Sequence, residues 1–461
     1  MSGTTQQRSL GDPGVHDREA DQNGAQPQGL ASAALPEAIG ILATGVVPAL
    51  IRGLFSPRRG AMKLLTRLDA DRRAVALLSR ARRKYGGEGV RLLGGKMVVL
   101  WGAGAIREVL DHSGDLYASD AGAKAKGMTH FQPDALTISR GAQWRDRRTF
   151  NESVLATSER VHPFGKRFLV VVEDEVGRLS PGSTLEYRHW EDLFDKITLR
   201  VIFGDSARSD QRLTELLEKL MAESNRLVGL KPTGDYYEFY GALERHLTDP
   251  SPDSLLARFA DAPQTDVTRV VHQIPHWIFA MRDTLGANAY RALAAIVADP
   301  SVDGKVREEL AAADLSDPAQ VDGLRYLEGC LHEAMRLWPT TPLLARESTR
   351  EAVLAGEQID EGTQVMLLNV FNHRDADNVE DADRLDPERW QGDREDYRFN
   401  HLSNGTQDCP GGPLVLLLGK AVIGQMLVRH QLELTEPKLD PAKPLPHMFN
   451  FFEARFSVRP A

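Results

Sequence analysis

Residues 399–427 read FNHLSNGTQDCPGGPLVLLLGKAVIGQML, and the cysteine within them is one of only two in 461 residues. Gly405 and Gly411 flank Cys409, and glycine permits turns and close backbone approach that a side chain would block. Pro413 stands where a first helical turn would start, so the run from Leu414 predicts a buried helix opening just after the cysteine. A thiolate near such an N-terminus is stabilised by the helix dipole and by neighbouring amide donors. Free cysteine is more often simply packed in a core. Cys409 is therefore either a small buried hydrophobe or a lone nucleophile or metal ligand, and its surroundings must decide.

Bulk composition narrows the field. Hydrophobic residues make up 42% and charged residues 26%, as in ordinary globular proteins. The formal net charge of −9 argues against nucleic-acid binding by bulk electrostatics. Two cysteines cannot build a disulfide framework or a zinc cluster, which favours a reducing compartment.

Residues 1–34 are rich in Gly, Gln, Asp and Pro and read as a disordered leader without the layout of a secretory signal. Residues 35–60, LPEAIGILATGVVPALIRGLFSPRRG, are apolar from Ala38 to Ile51 and end in arginines. That run is short for a bilayer span, so the segment packs on the protein's own surface or lies at a membrane interface, the former being favoured. From residue 61 to 461 the pattern is mainly helical with a small β part. GVRLLGGKMVVLW (89–101) predicts a hairpin, and REAVLAGEQIDEGTQVMLL (350–368) predicts short strands. Amphipathic helices are expected at 104–112, 192–204, 213–228 and 306–315.

Four further stretches carry candidate chemistry. In LHEAMRLWP (331–339), Glu333 and Arg336 share a helix face among apolar neighbours, and a buried pair needs a further group to complete its network. Arg389, in DADRLDPERW (381–390), follows about fifty residues later. HWIFAMRDTLGANAYRALAAIVADP (276–300) reads as a long helix, apolar in the middle except for Arg282, Asp283 and Thr284. Either Thr284 bonds back to the carbonyl four residues earlier, or Asp283 and Thr284 form an acid–hydroxyl pair that relays protons into a cavity. Trp144 and Arg148 lie four apart in GAQWRDRRTF (141–150), and Arg346 lies in TTPLLARES (340–348). Cys330 has no motif around it and reads as core.

Taken together these motifs resemble the cytochrome P450 family. Gly405, Cys409 and Gly411 match its haem-ligand signature in register, while Leu402 and Gln407 depart from the usual Phe and from the usual Arg or His. The Glu333–Arg336 pair, Arg389 and Cys409 keep the family's order, and AMRDT resembles its distal-helix motif with Met281 in place of glycine, which is expected to crowd or reshape the oxygen pocket. The resemblance implies a P450-like fold, mainly α with a small β part, of the bacterial soluble type with an atypical haem loop. It implies haem b with Cys409 as the axial iron ligand, Trp144, Arg148 and Arg346 at the propionates, and Asp283 and Thr284 as the proton relay. With Gln407 uncharged, Arg148 and Arg346 carry more of the propionate neutralisation. Arg389 is expected to join Glu333 and Arg336 and brace the loop before the cysteine.

The function so implied is an O2-dependent monooxygenase acting on an apolar organic substrate by hydroxylation or epoxidation. Electrons come from NAD(P)H only indirectly, through a ferredoxin-type donor and its reductase, docking on the cysteine side near Arg145 and Arg147. The pocket is expected to be lined by 127–138, by TTPLL (340–344), and by Phe279 and Ala280. The alternatives are a peroxide-dependent peroxygenase, a member that catalyses dehydration, rearrangement or coupling, and a haem-binding sensor. The expected location is the cytoplasm, at most peripheral to a membrane.

Overall fold

The computed structural model describes residues 29–120, 122–180, 182–392 and 396–460. Helices dominate, and the longest apolar ones fill the centre. The stretch 274–298 is one continuous helical rod whose middle, Ala280–Leu285, is a π-turn. Such wider turns occur mostly at functional sites. The opened backbone is not left unpaired, because Trp190 donates its indole N–H to the Gly286 carbonyl at 2.8 Å. Gly412–Arg429 forms the helix expected after the cysteine, with Pro413 in its first turn.

These two helices cross at a glycine. A Cβ on Gly419 would lie 2.6 Å from Leu331 Cδ2 and 3.1 Å from Leu285 Cδ1. Leu285 is the neighbour of Thr284, so this contact sets the register between the cysteine helix and the Asp283–Thr284 segment. Lys420, 1% exposed, then ties the cysteine helix to Arg325–Leu337 through the Glu328 carboxylate and the Asp322 carbonyl.

The main sheet has six strands in the order Ala31–Ser32, Gly89–Leu92, Met97–Leu100, Gln364–Leu367, Leu344–Ser348 and Tyr117–Ala118. Val90 pairs with Val99 across the expected hairpin. A three-stranded antiparallel sheet joins Thr184–Glu186, Arg455–Pro460 and His430–Glu436, and Ala352–Leu354 pairs with Glu357–Ile359. The helix expected at 213–228 ends at Ser224.

Residues 1–28 of the expected leader lie outside the described residues. Its last part is ordered: Ala31–Ser32 adds a parallel strand to Gly89–Leu92, and Leu30 is buried. The composition of 1–34 taken as a whole masks the short apolar end that reaches this sheet edge. Segment 35–52 buries Ala38, Ile41 and Val46 against Leu78 and Trp101, while Leu35, Ile39, Val47, Leu50 and Ile51 stay exposed. By length and composition, Leu35–Arg52 and Gly412–Arg429 are both apolar enough to cross a membrane, but the latter is 78% buried in the protein. Cys330 is fully buried in the main core, as its sequence context implies.

Gly419→Val is expected to lower stability by about 1–3 kcal/mol through overpacking, read as a reduced midpoint in thermal denaturation.

Candidate functional site

Arg336 organises one side of the site. It is 0% exposed, as is Glu333, and the two form a paired fork, Nε to Oε1 at 2.6 Å and Nη2 to Oε2 at 2.7 Å. Its remaining N–H groups donate to the carbonyls of His373, Ala382 and Arg384. Glu333 also accepts the Asp386 amide at 2.8 Å and the Trp390 indole N–H at 3.0 Å. Arg389 Nε lies 3.4 Å from Glu333 Oε1 without making a directed hydrogen bond, and its Nη2 donates to the Glu380 carbonyl. Arg389 thus joins the pair by charge.

The brace on the cysteine loop runs through histidines instead. His373, whose carbonyl Arg336 holds, accepts the Asn400 N–H at 2.9 Å. His401 shares a 2.9 Å hydrogen bond with His332 of the Glu333 helix, and Trp390 stacks on His332. His332 and His373 lie far from Cys409 in sequence and are not themselves motif residues, which is why sequence reasoning passed over them.

At the loop itself, Gly405 has φ +67°, and a Cβ there would meet the Leu110 backbone at 2.5 Å. Both its conformation and its neighbour demand glycine. Leu402, in the position of the family's phenylalanine, packs against the core, and its carbonyl accepts the Cys409 N–H at 2.9 Å. Gly411 has room for a Cβ, but its amide donates to the Cys409 sulfur. That donor and nearby Arg148 favour a thiolate, yet burial outweighs them and pushes the thiol up, with Asp408 adding to the effect. The helix N-terminus alone therefore does not ionise Cys409. A bound metal ion's charge would deprotonate it.

The predicted propionate arginines differ from each other. Arg148 is already matched by carboxylates: Nε donates to Glu152 and Nη2 to Asp408, while Nη1 holds the Asp408 carbonyl at 2.7 Å. Trp144 is half-buried on the same helix. Arg346 is 5% exposed and bonds only Ser113 Oγ and its own strand's Ala345 carbonyl. With no carboxylate beside it, burial brings its guanidinium down to about 10. Lys124, which sequence reasoning missed, lies within its electrostatic reach and is pushed down to about 7, first by burial and then by Arg346. The Gln407 side-chain amide is buried without a partner. Among the described residues Arg346 is thus left without an anionic counterpart and the Gln407 amide without a hydrogen-bonding one, while Lys124 has only the more distant Asp120 and the Thr137 carbonyl.

On the helix 274–298, Asp283 and Thr284 line a cavity together with Phe279, Tyr187, Pro339 and Thr340. Asp283 Oδ1 accepts from Arg282 Nη1 at 2.9 Å, whereas Oδ2 is buried and unpartnered. Burial raises this carboxyl to about 7 against the pull of Arg282. Arg282 is also bound to Asp195 and reaches Glu218 at 3.3 Å, so its charge is shared. The Thr284 hydroxyl makes no hydrogen bond among the described residues, and the back-bond to residue 280 is not formed. Met281 packs into the main core and does not line this cavity, so the crowding expected at that position is absent.

Other expectations shift. The segment 127–138 stands behind the wall, Phe131 meeting Phe279 edge-on at 6.4 Å, and of TTPLL only Thr340 lines the cavity. Arg147 is buried on Asp134, Ser139 and the Val267 carbonyl, because the turn of the helix points it inward. It cannot serve a docking surface, whereas Arg145 is exposed.

The chain matches the family model described as Cytochrome P450 over residues 253–454, a range that holds Asp283, Thr284, Glu333, Arg336, Arg389 and Cys409. It is similar to Cytochrome P450 81F4 of Arabidopsis thaliana, 24% identical over 73% of this chain and 77% of that protein. It is also similar to Probable cytochrome P450 4d20 of Drosophila melanogaster, 29% identical over 35% of this chain, and to Cytochrome P450 4V2 of Homo sapiens, 29% identical over 34%. The chain spans about a third of the length of these last two relatives, 33% and 32%.

Arg336→Leu leaves the Glu333 charge buried and unpaired and is expected to cost about 3–5 kcal/mol, with Glu333→Leu/Arg336→Met costing less than the single change; urea unfolding midpoints of both variants check this order.

Proposed function

The chain belongs to the cytochrome P450 family, and from that premise we propose an O2-dependent monooxygenase that uses Cys409 as the haem-iron ligand and Asp283 with Thr284 as its proton relay. In its general class it is a haem-thiolate oxidoreductase with haem b, served by a redox partner. The observation that carries the site assignment is the pairing of a glycine-bound cysteine with a buried, unneutralised Arg346. A porphyrin with carboxylate side arms matches both. Arg346 and Lys124 supply the positive charge for those carboxylates. Arg148 holds the loop through Asp408, so its part is to position Cys409.

When bound, haem b supplies the oxidising chemistry, thiolate ligation favouring cleavage of the O–O bond. The chain's own contribution is proton control. Asp283 Oδ2 is the free oxygen and carries the proton, while Oδ1 is held by Arg282. Thr284, with its hydroxyl unengaged by protein, can accept that proton and pass it into the cavity. Glu218, on the other side of Arg282 and half-exposed, offers a route for re-protonation from solvent. An acid poised near neutral pH suits this exchange.

The reaction, hydroxylation or epoxidation, is proposed for an apolar organic substrate. A ferredoxin-type donor, the bacterial soluble type and a cytoplasmic location remain parts of the proposal. The bare row Leu35, Ile39, Val47, Leu50 and Ile51 is the surface a membrane would meet. The peroxygenase alternative draws on Arg282 beside the acid, and turnover with peroxide against turnover with ferredoxin and NADPH separates the two.

The reduced protein under carbon monoxide should show the red-shifted Soret band of thiolate ligation, and Cys409→Ala should abolish it; an unchanged spectrum in that variant overturns the assignment. Asp283 is a carboxylic acid below pH about 7 and a carboxylate above it. Product formed per electron consumed should therefore fall as pH rises through that value, while Asp283→Asn should be slower by about 10²-fold and flat with pH.

A further inference from the structure

The cavity that holds Asp283 and Thr284 is not uniformly apolar. Arg291 lies on the same helix and lines the same cavity. It is 6% exposed and makes no ion pair among the described residues, the carboxylate that acts on it, Asp71, being itself paired with Arg52. Among the described residues its one directed bond runs from Nη1 to the Trp338 carbonyl at 2.8 Å, and its guanidinium sits over the Phe451 ring at 4.8 Å. Nε is buried with no partner. Arg52 lines this end too, pairs with Asp71, and also leaves its Nε buried and unbonded. The two guanidiniums are within electrostatic reach of each other, and burial brings Arg291 down to about 10.

A buried cation without a counter-charge is costly, and unmade donors add to the cost. Glu191, Glu218 and Asp283 also line the cavity and are grouped around Arg282, so they do not neutralise Arg291. Resting on the functional reading above, we infer that Arg291 is the anchor for a substrate carboxylate, and that the natural substrate is an apolar body ending in a carboxylic acid. The two free Nε–H groups are donors for the two carboxylate oxygens. At the reacting end the buried guanidinium among the described residues, Arg282, is already taken up by Asp195, Asp283 and Glu218, so that end offers a carboxylate no free cation and the substrate enters one way round.

The helix also sets a length. Arg291 is seven residues beyond Thr284, about 10 Å at 1.5 Å per residue. The carbon presented beside Thr284 is thus roughly eight extended carbon–carbon bonds from the carboxylate. Medium-chain acids, or rigid ring systems of that length bearing a carboxylate, meet this requirement.

The test is titration of the haem-loaded protein with octanoic, decanoic and dodecanoic acids and their methyl esters, by calorimetry and by the Soret shift. The best acid should bind at least about tenfold more tightly than its ester. Arg291→Gln should erase that difference and leave ester affinity unchanged, while Arg291→Lys should keep part of it. Equal affinities of acid and ester, or no acid binding up to about 1 mM, overturn the inference, as does an Arg291→Gln protein that weakens both alike. Should Arg291→Gln not fold, the acid–ester comparison in the unaltered protein decides alone. Failure of the functional reading shows separately, in the carbon monoxide spectrum, because calorimetry reads acid binding whatever that spectrum is.

Discussion

Two full charges at 0% exposure, Glu333 and Arg336, are the constraint around which the cysteine side of the molecule is arranged. Taking such charges out of water is expensive, and only complete saturation offsets it. Here each donor of Arg336 and each oxygen of Glu333 finds a partner, and beyond the pair itself and the Trp390 indole the hydrogen-bond partners are backbone groups of segment 373–386. Charge saturation thereby dictates where an irregular stretch of chain must run. From there His373 and the His332–His401 bond carry the order on to the loop that presents Cys409. The glycine at 329 belongs to the same arrangement: a Cβ would sit 2.2 Å from the Pro387 carbonyl oxygen, so nothing larger lets the segment lie so close.

Burial acts on two groups of opposite role. It keeps the proton on the Cys409 thiol and also raises the Asp283 carboxyl toward neutrality. For the acid, the raised value suits the proposed proton relay, since it allows both donation and recovery of a proton under ordinary conditions. For the sulfur, the protein provides amide donation from Gly411, and under the proposed reading a bound metal ion's charge would complete the ionisation. The cations that stay unpaired, Arg346, Lys124 and Arg291, stand where anions are expected to arrive with the ligands.

Features with short sequence spacing were legible in advance. Glu333 and Arg336 share a face because they are three apart, and Pro413 marks the start of its helix; both are as expected. The hairpin at 89–101 was equally plain from its alternation and its glycines. What could not be read were the contacts between distant segments. Asp195 and Glu218 reach Arg282 from other helices, Trp390 completes Glu333, and Asp408 takes Arg148. Arg291 belongs to no motif in the sequence; that it is buried without an ion pair among the described residues is visible only in three dimensions. The strand at Ala31–Ser32 was hidden by the polar composition preceding it.

The π-turn at Ala280–Leu285 has a structural ancestry worth drawing out. Such a turn amounts to one amino acid spliced into a regular α-helix, with the surplus absorbed locally. With the surplus taken up in the turn, the helix on either side keeps its ordinary winding, and the C-terminal half stays keyed through Leu285 to Gly419 and through Gly286 to Trp190. The residues displaced from regular spacing are those of the turn itself, Asp283 and Thr284 among them. A deletion inside the turn would therefore move these side chains against both halves, whereas one in a regular stretch would swing half the rod by about 100° about its axis.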